Sequence, residues 1–317
     1  MSSRTLSLSS LRTVALSERQ KGCDERDFGA AYHRGNSLSD FLCSLPNMGV
    51  VADLFALRDA IVLAHKHQRS VILGCDEHVL SAGLGPLLVH LIEQKIITSV
   101  ALTGSALLQD VEIACSGYTV RYQDKNLLDG RFGLTEETGK LIHEAINFGA
   151  IENMGIGQSV GQHLINAELK HLHHSVLATA CRYGVPVTVH PAIGADMFSL
   201  HPLAHGESLG ATAMQDFRLL AGMMAEASDG VLINAASSAL LSDAFLQALN
   251  MARNLGEEIE NITVATTHAS LEIQTRHDVM RQLSKKNGHD YCLQAPNEVL
   301  LPLLFAAVID ALGGGLD

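Results

Sequence analysis

From Val50 onward the chain alternates between stretches with helical apolar spacing and short unbroken apolar runs. "VVADLFALRDAIVLAHKHQ" places its apolar positions three and four apart, "SVILGC" is continuously apolar, "GLGPLLVHLIEQKI" is helical again, and "ITSVALTG" is the next strand, which makes a βαβ unit. "ALLQDVEIACSG" follows as a short helix with Asp110 and Glu112 set into it. "LTEETGKLIHEAINFGA" is a helix with Thr135 placed to cap it and Glu136 and Glu137 in its first turn, where the helix dipole favours negative charge. "QHLINAELKHLHHSVLATACRYG" scans as one long helix ending at Gly184, and "VPVTVHP" as a strand stopped by Pro191. After the loop "AIGADMFSLHPLAHGESLGAT" come helix "AMQDFRLLAGMMAEA", strand "GVLINA", helix "LSDAFLQALNMARNLG", strand "ITVATT", strand "DYCLQA" and helix "EVLLPLLFAAVIDAL". The alternation predicts an α/β protein, a mostly parallel sheet with helices on both faces. The first 45 residues are polar and irregular, predicting an arm with at most one short helix (1–45) ahead of a single domain (46–317).

Several strands end on small or polar residues: Gly74-Cys75-Asp76, Thr103-Gly104-Ser105, His190-Pro191, Asn234 through Ser238, and Thr266-Thr267-His268. In a parallel sheet these ends share one edge, where backbone N–H groups at helix starts face a crevice. Thr103, Gly104, Ser105, Ala236, Ser237, Thr266 and Thr267 are therefore expected to line a nucleotide-sized site.

Composition narrows the class. Of 317 residues 47% are hydrophobic and 4% aromatic, which suits one large α/β core. Six scattered cysteines without a C-x-x-C are expected to be free thiols. A net charge of −12 without a long basic run argues against a nucleic-acid groove or an anionic membrane surface, and suits a cationic ligand. No apolar stretch reaches the ~18 residues of a membrane span and the start has no signal-peptide core, so a cytoplasmic protein is expected.

Three motifs carry candidate chemistry. The glycines of "GIGQSVG" (Gly155, Gly157, Gly161) superficially resemble a dinucleotide fingerprint, but the last spacing is wrong and no strand precedes them. "KHLHH" lacks a nearby carboxylate or thiolate partner, so no metal is expected there. "VHPAIGADMFSLHP" sets His190, Asp196 and His201 in a loop leaving a buried strand; a carboxylate there can hold an ammonium group and a histidine can move a proton.

"GVPVTVHPAIGADM", "DFRLLAGMM", "GVLINAASSALLSDAFLQALN" and "EVLLPLLFAAV" resemble core segments of deoxyhypusine synthase and its bacterial homologues. "EHVLSAGLGPLLVHLIEQKIITSVALTGSALLQDVEIACSG" and "GRFGLTEETGKLIHEAI" extend that likeness, which runs in order from about residue 45 to 312. The resemblance implies a Rossmann-like, deoxyhypusine synthase-like fold, NAD as cofactor, a small cationic amine of polyamine type as substrate, and a homotetramer with sites at subunit interfaces. It sets Thr103, Gly104 and Ser105 on the family's Thr-Ala-Gly nucleotide turn, and Ser81 and Gly83 on an earlier Ser-x-Gly that touches the cofactor. Ala236 and Ser237 fall on the glycine-rich turn, and Asp196 on an aspartate that meets the polyamine.

The chain also departs from the family. Leu241, Ser242 and Asp243 stand where the family has Lys-His-His. The stretch "QLSKKNGHDY" offers Lys285 and Lys286 as nucleophile candidates but lacks the family's Trp-Gly-Lys. "CLQAPNEV" replaces Tyr-Ala-Asp-Ala-Ser, and the acidic loop before Lys285 is shortened to "HASLEIQTRHDVMRQLS". Aminobutyl transfer to a protein lysine is therefore not expected. Two readings follow: an NAD-dependent transferase or oxidoreductase acting on a small amine, with Asp196 anchoring the substrate and His190 handling protons, or a non-catalytic nucleotide-binding or regulatory protein on the same fold.

Overall fold

The computed structural model describes residues 8–120, 130, 133–269 and 273–313. Its elements run α1 (Leu38–Ser44), α2 (Val50–Lys66), β1 (Val71–Cys75), α3 (Glu77–Ser81), α4 (Gly85–Glu93), β2 (Ser99–Thr103), α5 (Gly104–Ser116), α6 (Glu136–Glu152), α7 (Ile156–Asn166) and α8 (Val176–Tyr183). The chain continues through β3 (Val187–His190), α9 (Gly206–Ala225), β4 (Val231–Asn234), α10 (Ala239–Asn254), β5 (Thr263–Thr267), α11 (Ile273–Met280), β6 (His289–Leu293) and α12 (Asn297–Gly313).

All five strand pairings are parallel, in the order β3-β2-β1-β4-β5-β6. The chain works outward from β1 to β3, then returns to the other side of β1 with β4, so a topological switch point lies between β1 and β4. Side-chain alternation divides the core in two. Val71, Leu73, Val100, Leu102, Val187 and Val189 pack on one face beneath helices that include α2, α4, α5 and α12. Ile72, Ala101, Leu232 and Val264 pack on the other, beneath α9, α10 and Met280 of α11. The central strands are buried on both faces, which is why they are continuous apolar runs rather than alternating ones.

The long helix expected over 162–184 is broken. α7 stops at Asn166, Glu168 takes a left-handed backbone (φ 49°), a 3-10 turn spans Leu172–His174, and α8 starts afresh on Ser175, whose hydroxyl accepts from the Ala178 N–H. Apolar periodicity carries across the break, so the pattern hid it. Two short helices went unseen: α3 directly after β1, and α11, which buries only Ile273, His277 and Met280 and is otherwise polar. Thr135 occupies the N-cap of α6, yet its hydroxyl pairs with that of Thr138 rather than with a helix N–H. Within the arm, α1 is held by a reciprocal Ser37–Asp40 cap, and Leu42 is its first buried residue among those described.

Candidate functional site at the carboxyl edge of the sheet

β1 ends at Cys75, and Asp76, fully buried, caps α3 by accepting from the His78 N–H (3.1 Å). Its other carboxylate oxygen accepts from both the backbone N–H and the hydroxyl of Ser237, just after β4. Asp76 thus stitches the two halves of the sheet at the switch point. Asn234, the last residue of β4, accepts from the Ala236 N–H (3.2 Å) and donates to Ser242 (2.9 Å), which fixes the turn carrying Ser237.

On the β2 side Thr103 caps α5, accepting from the Ala106 N–H (3.2 Å). Ser105 donates to one oxygen of Asp196 (2.7 Å), and the Ala192 N–H donates to the other (2.6 Å). The loop after β3 therefore folds back onto the β2 turn and covers it. A Cβ on Gly104 would stand 2.2 Å from the Asp196 carboxylate and 2.7 Å from Phe198. The missing side chain of Gly104 makes room for this chain's own loop, so a bulky residue there disturbs the fold.

His190 closes β3. Its Nε2 meets the Thr188 hydroxyl at 2.9 Å, and burial pushes its pKa down to about 4, so the ring is neutral at pH 7. In β5 the Thr266 hydroxyl meets His277 Nδ1 at 3.1 Å, and His277 Nε2 meets Asp290 at 3.0 Å. Thr267 donates to the Asn297 side chain (2.8 Å), which in turn donates to the Ala235 carbonyl (2.9 Å), so the start of α12 is tied to both β4 and β5.

Two clefts open at this edge. The larger, about 480 Å³, is lined by His78, Ser81, His268, Pro296, Asn297 and Glu298. The second, about 390 Å³, is lined by Leu80, Gly83, Pro86, Ile113, Tyr118 and His174, and Ser81 belongs to both. Glu77, just ahead of the cleft residues in sequence, has its pKa raised by burial first and to a lesser extent by the charges of Asp76 and Asp196. The His268 ring lies 6.2 Å from that of His78, and burial lowers its pKa.

The expected residues therefore fall into separate places. Thr103, Gly104, Ser105, Asp196 and His190 form the β2–β3 side, while Ala236, Ser237, Thr266 and Thr267 stand at the β4 and β5 ends, all on one edge. Ser81 and Gly83 line the open clefts themselves. Lys285 and Lys286 do not join them: both are exposed at the opposite edge, where the Lys286 carbonyl accepts from the Asn261 N–H (2.7 Å) ahead of β5. Within the chain neither lysine lines this crevice. His78 and Asn297 escaped the reading of the sequence, whereas Asp76 and His268 were named only as parts of strand-end turns, without a role of their own.

The glycine motif is a packing device. Cβ atoms at Gly155, Gly157 and Gly161 would stand 1.7 Å from Asp216, 2.2 Å from the Val187 carbonyl and 2.7 Å from the Leu177 carbonyl, so these glycines let α7 approach its neighbours. Among the described residues no three His, Cys, Asp or Glu side chains form a group able to hold a metal, and no helix is long and apolar enough to cross a membrane.

No family model matches the chain, and no curated protein matches it. Solved structures do. A candidate deoxyhypusine synthase from Entamoeba histolytica superposes with a TM-score of 0.54 at 12% identity, covering 89% of this chain and 96% of that one. A candidate LOR/SDH protein from Methanococcus maripaludis S2 gives 0.51 at 14%, covering 82% and 67%. AgrE in complex with ornithine and NAD+ gives 0.53 at 13%, covering 86% of this chain and 35% of AgrE, so the chain spans about a third of that protein. At such identities the likeness is one of fold, and it agrees with the six parallel strands and the switch point found here: the chain has a Rossmann-like, deoxyhypusine synthase-like α/β fold.

Proposed function

We propose that the carboxyl-edge clefts bind a dinucleotide of the NAD type together with a small cationic amine. The observation that carries this reading is the pair of clefts meeting at Ser81: about 480 Å³ with imidazoles and amide groups on one side, about 390 Å³ with Leu80, Pro86, Ile113 and Tyr118 on the other. One half-dinucleotide in each suits their size and lining, the apolar cleft taking a base and the polar one the reactive end. Ser81 and Gly83 would touch the cofactor where the compartments join. Bound there, NAD would supply a hydride acceptor for oxidation of an amine.

The protein's own groups suit such a substrate. Glu77, a half-buried carboxylate in the first turn of α3, would favour an ammonium group over an anion, and His268, whose pKa burial lowers, would be neutral at pH 7 and would take up the proton released on oxidation. His190 is neutral and its Nε2 is engaged with Thr188, so in the free protein it serves the strand rather than proton transfer. Transfer of a group through a lysine imine has no support, because Lys285 and Lys286 lie at the other edge. The AgrE complex with ornithine and NAD+ lends the fold a precedent for an amine and NAD together.

The position of the lysines also favours the second reading, a nucleotide-binding protein without catalysis. Calorimetric titration with NAD+ and NADH tests the first step: binding is expected, with affinity falling about tenfold or more in Ser81→Phe, which fills the junction from an exposed position. Absence of NADH formation with ornithine, putrescine or spermidine, despite tight NAD+ binding, would select the second reading. Absence of NAD+ binding would remove both.

A further inference from the structure

A third cleft, about 420 Å³, opens at the amino edge of the sheet, between α2 and the first residues of β4, β5 and β6. Ala56, Ala60 and Leu63 of α2 form one wall, and Val231 and Tyr291 form the strand side. Leu63 is 60% exposed although it borders this hollow. The far end carries polar groups: His67 and Arg69 after α2, Asp229 before β4, Asn261 before β5 and His289 at the start of β6.

The charges at that end are unevenly committed. One oxygen of Asp229 accepts from the Asn261 amide (2.8 Å) and the other faces the Arg69 guanidinium at 3.4 Å. Asp229 is thus used on both oxygens. Arg69 meets it through one nitrogen at long range, with half its side chain in solvent, and a guanidinium has five N–H donors in a fork that matches a carboxylate. The opposite end repels anions: the Tyr291 hydroxyl has its pKa raised by burial and then by the charges of Asp53, Asp290 and Asp59. A ligand with one negative group and an apolar body is therefore sorted by the field, its charge toward Arg69 and away from Tyr291.

We propose that this amino-edge cleft binds a small organic acid, its carboxylate paired with Arg69 and its apolar body lying between Leu63 and Tyr291. The site is separate from the carboxyl-edge clefts and does not depend on how those are read. Two probes differing in the body, 3-phenylpropionate and octanoate, are titrated calorimetrically into the full chain, with 3-phenylpropionamide as the uncharged control. At least one acid is expected to bind, and the amide to bind about tenfold or more weakly than its acid. Arg69→Gln is expected to abolish the preference for acid over amide, and Leu63→Glu to abolish acid binding; both positions are exposed, and an unchanged melting temperature verifies the fold. Failure of both acids to bind, equal affinity for acid and amide, or acid binding that survives Arg69→Gln each overturns the proposal.

Discussion

Asp110 shows what a carboxylate does inside an apolar helix. Fully buried, it accepts from the Ser175 hydroxyl (2.5 Å) and from the Val176 and Leu177 N–H groups (2.7 and 3.2 Å), so it serves as the anionic cap of α8, 65 residues away. The sequence reveals an acid in the wrong place but not its partner, because the cap is made across space. Asp110→Ala leaves those donors unpaired in the core and is expected to cost about 2–3 kcal/mol in a urea melt. Asp216 behaves differently. One of its oxygens accepts from the Gly157 and Val189 N–H groups (3.0 and 2.9 Å), the other is buried without a partner, and burial raises its pKa to about 7. The unfolded chain titrates this group near pH 4, so the folded state holds the proton more tightly. Its contribution is fully present below about pH 4 and is lost as pH rises through about 7. Urea midpoints at pH 5 and 8 are expected to show a decline that Asp216→Asn reduces by about 1–2 kcal/mol.

At the scale of elements, buried strands and long amphipathic helices were legible because their burial writes itself as continuous or periodic apolar residues. The breaks were not. The division of 162–184 depends on the backbone at Glu168 and on the cap that Asp110 gives α8, and α11 buries too few residues to leave a period. Strand ends were legible as small or polar residues, but a strand end does not tell whether its turn faces open space or a folded-back loop, which is the difference between His268 and Gly104. α12 depends on one such contact. Asn297 joins Thr267 to the Ala235 carbonyl, and Asn297→Ala would leave both without this partner. The expected cost is about 1–2 kcal/mol, read as a melting temperature lower by a few degrees.

For the whole molecule, the apolar helix α12 is covered largely by its own chain. Leu300, Leu301, Leu304, Phe305 and Val308 are buried within the chain, leaving Val299 and Ile309 exposed. Exposed apolar residues elsewhere include Leu8, Leu11, Val14, Leu16 and Phe28 of the arm and Phe148, Ile151 and Met214. We retain the homotetramer as a proposal on those residues: light scattering is expected to give four times the 33.9 kDa chain mass, and a monomer at micromolar concentration would reject it.

The strand order has a kinetic side. β1, β2 and β3 are joined by connections that follow one another along the chain, whereas β4 must find β1 across some 155 residues, with the far strand β3 already laid down between them in sequence. Pairings of such separation close late, because the entropy of the intervening loop is spent before any contact rewards it. The seam between β1 and β4 is therefore a pairing expected to close late in folding, and the Asp76–Ser237 bonds are its latch. A ligand held at that seam would act as a bolt on the latch, slowing the rate at which the two halves part.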